Sequence, residues 1–189
     1  MQNSLLFIEL LDQMKYIHRS VILQNSNHEN NAEHSYHLAM MVLILAPKFP
    51  KLSLEKCLIF ALVHDIVEIY AWDTIALDIE AEKTKHEREQ KSIQKLENDF
   101  WKEHQHIFKS IHEYENKSSQ EVRFVYSLDK IHPIIQEVLS SGKWWKEWKM
   151  DFDKIKQRQY WKIFPEFWLD KILDIYFAIA EEKNIYFQE

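Results

Sequence analysis

Residues 58–70 read Leu-Ile-Phe-Ala-Leu-Val-His-Asp-Ile-Val-Glu-Ile-Tyr, an apolar run that contains three ionisable side chains, His64, Asp65 and Glu68. Burying a charge or an imidazole without a partner is costly. Such groups therefore persist in an apolar segment when they are paired, hydrogen-bonded or bound to a metal. The stretch predicts a buried helix with a polar site near its C-terminal end.

The scarcity of glycine extends this helical prediction to the whole chain. Only one glycine, Gly142, and four prolines occur in 189 residues, so few turns with positive φ can form. The fold class is predicted to be all-α. The same scarcity excludes phosphate-binding P-loops, Rossmann dinucleotide turns and the G-x-S-x-G nucleophile elbow, which all need glycines.

Charge, apolar run length and cysteine content limit the possible partners. The net charge is −6 and there is no long basic block, which disfavours binding to extended nucleic acid. The longest apolar run, 38–47, is too short to cross a membrane. The single cysteine, Cys57, excludes an intramolecular disulfide and is compatible with a reducing compartment. We therefore expect a soluble, cytoplasmic protein with no membrane partner.

Hydrophobic periodicity and capping residues predict a series of helices. Their expected positions are from about Leu5 to near Tyr16, about 32–46, from the N-cap Ser53 through Ile69, 79–103, 105–114, from the caps Ser118 and Ser119 to Gly142 with a bend at Pro133, and 166–183. We expect one domain, 1–189, with a core at about 15–140. A tryptophan-rich extension, 143–189, is expected to pack on that core or on a second subunit.

The helix that carries the opening stretch should direct its three polar side chains to one point. Residues three or four apart share a helix face, so Glu68 neighbours both His64 and Asp65. Adjacent residues diverge by about 100° around the helix. His64 and Asp65 can nevertheless converge on an ion that lies beside the helix.

Two further helices offer candidate ligands. The preceding helix carries His34 and His37, and a short connection makes it an antiparallel neighbour; either imidazole could be the ligand. Asp129 lies on an otherwise apolar helix. Two imidazoles with two aspartates bind divalent transition metals. By spacing alone, however, a His–Asp pair that is hydrogen-bonded without a metal is the commoner explanation.

The order of these residues resembles a known signature. His34, then His64-Asp65, then Asp129 on successive helices is similar to the H…HD…D pattern of the HD-domain phosphohydrolases. Further matching motifs are Glu33-His34-Ser35, Lys85-His86, Arg88-Glu89, Glu113-Tyr114-Glu115-Asn116 and Leu128-Asp129-Lys130. The resemblance covers roughly residues 15–140. It implies an HD-domain helical bundle with additional C-terminal helices.

Within that superfamily the chain resembles the 5′-deoxynucleotidases, in which the HD pair is followed by a glutamate and then by a loop aspartate. Here these are Glu68 and Asp73, to which the resemblance assigns the orientation of water and proton transfer. Arg19 would contact the substrate near its phosphate. The ligands of the metal would be His34, His64, Asp65 and Asp129.

The resemblance also implies the reaction and the partners. It predicts a phosphomonoesterase that acts on nucleoside 5′-monophosphates or similar small phosphate esters. One divalent transition metal ion per chain is expected, and manganese, cobalt, iron, nickel and zinc all suit the ligand set. A homodimer is implied as well.

Three positions depart from the subgroup's pattern. Ser20 stands where an aromatic residue usually follows the arginine, which bears on selectivity for deoxyribose. The loop 71–76 lacks the usual Gly-Asp and proline. His132-Pro133 replaces an acidic and an aliphatic residue, and His132 could approach the metal region.

Other functions stay open at this stage. An HD pyrophosphohydrolase acting on another nucleotide usually has Glu-Asp after the HD pair, whereas Ile69 stands at the second of these positions. A catalytically impaired protein could keep the metal or nucleotide only for binding. Lys85 and Lys130 are further candidates for phosphate contact, although solvated lysines are the commoner explanation.

Overall fold

The computed structural model describes residues 1–72 and 79–188 of the chain. Helices dominate this part, as predicted, and short 3₁₀ turns at 12–15, 46–48 and 165–167 connect some of them. The helices are α1 (Gln2–Leu11), α2 (Asn31–Leu45), α3 (Leu54–Val63), α4 (Glu68–Ala71), α5 (Ile79–Glu115), α6 (Gln120–Leu139), α7 (Lys143–Glu147), α8 (Phe152–Tyr160) and α9 (Asp170–Glu182).

A short antiparallel hairpin precedes α2. Its strands are β1 (His18–Ile22) and β2 (His28–Asn30), with His18 opposite Asn30 and an irregularity in the register. The helical pattern predicted from the sequence did not include these strands, because they are short and lack regular apolar alternation. The hairpin matters for the site since β1 carries Arg19 and β2 carries Glu29.

Side-chain caps define the starts of the three central helices. Asn30 and Glu33 form a reciprocal capping box at α2, in which each side chain accepts a hydrogen bond from the other residue's backbone N–H. Ser53 caps α3, as predicted, and Ser119 caps α6. A cap of this kind is worth about 1 kcal/mol. These caps set the starting points of the helices that bear the candidate ligands.

The predicted continuous helix from Ser53 through Ile69 is wrong at its C-terminal end. Helix α3 stops at Val63, and α4 starts only at Glu68. Between them, the backbone N–H of Ile66 donates to Val63 and that of Glu68 donates to Asp65, a three-residue spacing that winds the chain more tightly than an α-helix. The His64–Asp65 pair therefore lies in a turn just after a helix C-terminus, and the simple shared-face argument does not apply.

Helix α5 bends near the expected place, and α6 ends before the predicted glycine. Backbone dihedrals at His104 are non-helical within α5, where the sequence predicted two helices separated near residue 104. Pro133 lies inside α6, and Gly142 follows that helix with φ of 67°. The backbone N–H of Gly142 donates to the carbonyl of Glu137 at 2.7 Å. The last helix was predicted to begin at Glu166, but Pro165 opens a 3₁₀ turn and α9 starts at Asp170.

The C-terminal helices pack on the same core as the central ones. Leu38 of α2 and Leu128 of α6 belong to one buried cluster with Trp145, Phe152 and Leu173. We propose on this basis that residues 1–189 form one domain. A second cluster joins α1 to the first half of α5 through Phe7, Ile93 and Phe100. In the described ranges, no helix is both long and apolar enough to cross a membrane.

Candidate metal centre

The structure brings the four predicted metal ligands together. His34 comes from α2, His64 and Asp65 from the turn after α3, and Asp129 from α6, and all four are buried. Nε2 of His34 lies 3.1 Å from Oδ1 of Asp129 and 3.8 Å from Oδ2 of Asp65. Nε2 of His64 lies 3.2 Å from Oδ2 of Asp65 and 3.9 Å from Oδ1 of Asp129. Two ring nitrogens and two carboxylate oxygens thus face one another.

The tautomer of His64 indicates that a cation belongs between these groups. Its Nδ1 lies 3.1 Å from the carbonyl oxygen of Ala61, which can only accept, so in the neutral ring Nδ1 carries the hydrogen. Nε2 then presents a lone pair to the carboxylate of Asp65, and it has no hydrogen-bond partner among the described residues. A lone pair facing a carboxylate is favourable when a proton or a metal ion lies between them. The donor set therefore fits a divalent metal.

The electrostatics of the site also favour positive charge. Burial and Arg19 lower the pKa of His34, but its hydrogen bonds with Asp129 and Glu29 and the charge of Asp65 raise that pKa to about 9. Burial raises the pKa of Asp65, but His64, Arg19 and His34 outweigh it and hold that pKa well below its usual range. Burial likewise raises the pKa of Asp129, but Lys130, His34 and His64 outweigh it and hold that pKa well below its usual range. Both carboxylates are therefore ionised and available to a cation.

A second layer of buried polar groups lies behind His34. Nδ1 of His34 is 3.2 Å from Nδ1 of His132, and Nε2 of His132 is 2.9 Å from Nδ1 of His37. The carboxylate of Glu29 is 3.5 Å from both His34 and His132, and Gln136 contacts His37. His37, the alternative ligand, thus faces this layer. His132 was noted in the sequence for its proximity to Asp129, but Glu29 was missed because it lies in a polar segment.

Glu68 lies beside the centre, as expected of a group that acts on water. It is buried, and its Oε2 accepts a hydrogen bond from the side-chain amide of Asn31 at 2.6 Å. Asn31 begins α2, close in sequence to His34, so the bond ties Glu68 to the ligand-bearing helix. The other predicted catalytic residue, Asp73, lies outside the residues that the structure describes.

Cationic side chains surround the carboxylates of the centre. Nη1 of Arg19 donates to Asp65 at 2.8 Å, and Nε of Arg19 lies 3.6 Å from Glu29. Nζ of Lys130 lies 2.6 Å from Oδ2 of Asp129. Burial and Lys130 lower the pKa of Lys85, whereas Glu89, Glu68 and Asp65 raise it, and the net shift is upward. Lys85 and Lys130, which the sequence left undecided, therefore both border the site as charged groups.

The centre opens into a cavity of about 570 Å³. Its lining includes Arg19, Ser20, Glu68 and Lys85. A further part of the lining, the C-terminal wall, comes from the end of α6 and the segment after it and includes Glu137, Trp144, Trp148, Lys149, Lys154, Arg158 and Lys162. The tryptophans were predicted to be packing residues. Tryptophan and lysine are interspersed in 143–162, a composition typical of a surface that binds an aromatic anion.

A model of the HD domain family matches residues 11–168 of the chain. The 5′-deoxynucleotidase HDDC2 of Bos taurus is 33% identical over 141 residues, which cover 71% of this chain and 66% of that protein. Its Homo sapiens counterpart is 32% identical over the same length, with 71% and 67% covered. The match thus spans about two thirds of the length of these relatives.

A solved structure resembles the fold over nearly its whole length. It is described as a predicted metal-dependent phosphohydrolase from Magnetospirillum magnetotacticum MS-1. The two folds superpose with a TM-score of 0.84 at 26% identity, covering 99% of this chain and 98% of the other. The C-terminal helices beyond the predicted core are therefore part of a fold seen elsewhere.

Proposed function

The chain belongs to the HD domain family, and from this premise we propose that it is a metal-dependent phosphomonoesterase that hydrolyses nucleoside 5′-monophosphates, deoxyribonucleotides among them. The relatives named 5′-deoxynucleotidase support the substrate class. A related protein described as a metal-dependent phosphohydrolase supports the reaction.

One observation carries the proposal. Two histidine nitrogens and two aspartate oxygens face one another in a buried centre, and this centre borders a cavity that Arg19, Lys85 and Lys130 also line. Side chains that can hold a cation and side chains that attract an anion thus line the same cavity. This combination suits a phosphate ester more than a neutral substrate.

We assign His34, His64, Asp65 and Asp129 as the ligands of one divalent transition metal ion. When bound there, such an ion supplies Lewis acidity that polarises a phosphoryl group and activates water. Glu29 and His132 form a second cluster with His34, but it uses the opposite nitrogen of that ring. We assign this cluster to hydrogen bonding that orients His34, since outer partners commonly fix a ligand's ring.

Glu68 is proposed to take a proton from the attacking water. Its carboxylate is buried, and Asn31 holds one of its oxygens, so the position of the carboxylate is set before substrate arrives. A positioned general base contributes about 10²- to 10⁴-fold in rate. Asp73 is proposed to assist in this proton transfer.

The cations of the cavity are proposed to bind the phosphate. Arg19 pairs with Asp65 at 2.8 Å, which fixes its guanidinium beside the place where a phosphoryl group would meet the centre. Planar guanidinium groups bind two oxygens of a phosphate at once. Ser20 follows Arg19 on the cavity wall, and its small side chain leaves room where an aromatic residue is expected. We therefore expect weak discrimination between deoxyribose and ribose.

A homodimer is proposed on the outer face of α2. Tyr36, Met40 and Ile44 follow one another at four-residue spacing on that face and are exposed, while Leu38 and Val42 on the inner face are buried. A helix that is apolar on both faces is normally covered on both. A second copy of the chain is the occupant that we propose.

A cytoplasmic location is proposed from Cys57, a buried free cysteine.

The experiment that tests the function is phosphate release from ribo- and deoxyribonucleoside 5′-monophosphates. Protein loaded with cobalt or manganese is compared with a Glu68→Gln variant prepared in the same way. We expect release that the variant loses. Absence of release from every nucleotide, with metal bound, would contradict the proposal and would leave a metal-binding protein of another function.

A further inference from the structure

Two unsatisfied polar atoms lie in the C-terminal wall of the cavity. Glu137 of α6 and Trp144 of α7 both line the cavity, and 1% and 8% of their surfaces are exposed. Oε2 of Glu137 accepts from the backbone N–H of Trp145 at 3.4 Å. Oε1 of Glu137 and Nε1 of Trp144 have no hydrogen-bond partner within the described part of the chain. A buried carboxylate oxygen and a buried indole N–H normally find partners.

The position of Glu137 relative to the metal centre suits a nucleotide. Asp129, Pro133 and Glu137 are four residues apart on α6, and all three line the cavity. A helix rises 1.5 Å per residue, so Glu137 lies about 12 Å along α6 from Asp129. This span is comparable to the length of a nucleoside 5′-monophosphate from its phosphorus to the outer edge of its base.

The chemistry of this wall matches the edge of a nucleobase. Each base presents an N–H donor next to a nitrogen or oxygen acceptor, whereas the sugar offers hydroxyl groups alone. Glu137 supplies an acceptor and Trp144 supplies a donor. Trp148, whose ring centroid lies 6.3 Å from that of Trp144, also lines the cavity and is 49% exposed. An exposed indole ring can stack on a base.

We propose that Glu137 and Trp144 form a hydrogen-bonding subsite for the nucleobase of the substrate, with Trp148 as its aromatic surface. The proposal rests on the proposed function, since it takes the metal centre as the place of the phosphate. It makes base recognition a property of the C-terminal wall, outside the ligand set. The enzyme should therefore prefer nucleotides to sugar phosphates that lack a base.

The test compares substrates with and without a base. For each variant, kcat/KM is measured with the four deoxyribonucleoside 5′-monophosphates and with deoxyribose 5-phosphate. Trp144→Phe should lower the ratio of nucleotide to deoxyribose 5-phosphate by about tenfold, the loss expected when one hydrogen bond to a buried group is removed. Glu137→Gln should lower the same ratio because it replaces a charged acceptor by a neutral amide, and hydrogen bonds to an ionised acceptor are about twice as strong. Glu121→Gln is the matched control, because Glu121 is also a buried glutamate of α6 whose carboxylate accepts a backbone N–H.

A binding measurement keeps this test independent of hydrolysis. The dissociation constants of 2′-deoxynucleosides for the metal-loaded protein are measured by tryptophan fluorescence and calorimetry. Weaker binding in both variants, with the control unchanged, supports the subsite even if no phosphate is released, in which case the proposed function alone fails. Ratios and dissociation constants that match the control in both folded variants overturn the subsite, whatever the enzyme hydrolyses.

Discussion

Nε2 of His34 lies 3.1 Å from Oδ1 of Asp129, although 95 residues separate the two in the sequence. The contact joins α2 to α6 inside the core, and Nε2 of the same ring is also 3.8 Å from Asp65. Two carboxylates therefore converge on one imidazole in a buried place. Such an arrangement is stable when a cation satisfies the carboxylates, because burying them unpaired is costly.

Replacing Asp129 by asparagine should remove the metal. The variant keeps the shape of the side chain but loses the ionised oxygen that faces His34 and His64. Metal content after loading with manganese should fall from about one ion per chain to near zero. The rise in melting temperature caused by added metal should also disappear, since a ligand that binds only the folded state stabilises it by about 2.7 kcal/mol at 100 times its dissociation constant.

The control for this substitution is Asp99→Asn, because Asp99 is exposed on α5. It should bind metal as the parent protein does. Full metal content in the Asp129 variant would contradict the ligand assignment.

Glu68→Gln should separate catalysis from metal binding. Glutamine keeps an oxygen that can accept from Asn31, so the local structure should survive. Because the amide cannot take a proton from water, turnover should fall by about 10²- to 10⁴-fold. Metal content and thermal stability, measured on the same preparation, should be unchanged. A fully active variant would exclude the proposed role.

His132→Gln should weaken metal binding without removing it. His132 contacts the nitrogen of His34 that faces away from the centre, and losing such an outer partner typically lowers metal affinity by about 10- to 100-fold. Competition with a chelator measures the affinity. His37→Gln, which alters the same chain of imidazoles one step further out, should have a smaller effect. Equal affinities in the parent and both variants would assign His132 a packing role only.

Much of this site could be predicted because its parts carry local signals. Ser53 and Ser119 mark helix starts by accepting hydrogen bonds from backbone N–H groups three residues further on. The apolar surroundings of the His64–Asp65 pair and of Asp129 mark these ionisable groups as unusual. Capping residues and apolar surroundings both involve residues within one or two helical turns of each other, so a single sequence is enough to reveal them.

The parts of the site that the sequence did not predict depend on contacts between segments that are far apart in the chain. Whether Glu29 borders the centre is decided by how β2 packs against α2, and this residue lies in no pattern that reveals it. At His64 the backbone dihedrals are still helical, so the turn at 64–67 differs from a continuous helix mainly in its hydrogen-bond spacing. The sequence pattern does not reveal that difference. The cavity role of Trp144 depends on where α7 lies after Gly142, which periodicity does not specify.

Gly142→Ala should destabilise the fold strongly. Gly142 has φ of 67°, a conformation that costs other residues about 1–2 kcal/mol. In addition, a Cβ at this position would lie 1.6 Å from the carbonyl oxygen of Ile185, so the C-terminal end of the chain would have to move. Ser141→Gly is the matched comparison, since Ser141 has φ of 63° and glycine should relieve its strain. Thermal unfolding of the two variants should therefore shift in opposite directions.

Glu137 should make stability depend on pH. Burial outweighs the backbone hydrogen bonds from Trp145 and Trp144, which lower the pKa of Glu137, and raises that pKa from 4.5 to about 7. The folded protein then binds this proton more tightly than the unfolded chain, so the group's contribution is intact below pH 4.5 and is lost as the pH rises through 7. Glu137→Gln stays neutral at every pH. It should be as stable as the parent protein near pH 4.5 and more stable at pH 8, by up to about 3 kcal/mol.

The control lies on the same helix and should respond with the opposite sign. Burial raises the pKa of Glu121, but hydrogen bonds from the backbone N–H groups of Ser53 and Glu121 outweigh it and lower the pKa overall. The folded state therefore prefers the ionised form of Glu121, and Glu121→Gln should lose stability at pH 8 relative to acidic pH. Denaturant unfolding at both pH values measures each difference. If Glu137→Gln were no more stable than the parent protein at pH 8, the carboxylate of Glu137 in the parent protein would be hydrogen-bonded to water in the cavity. The unpartnered oxygen that defines the base subsite would then not exist.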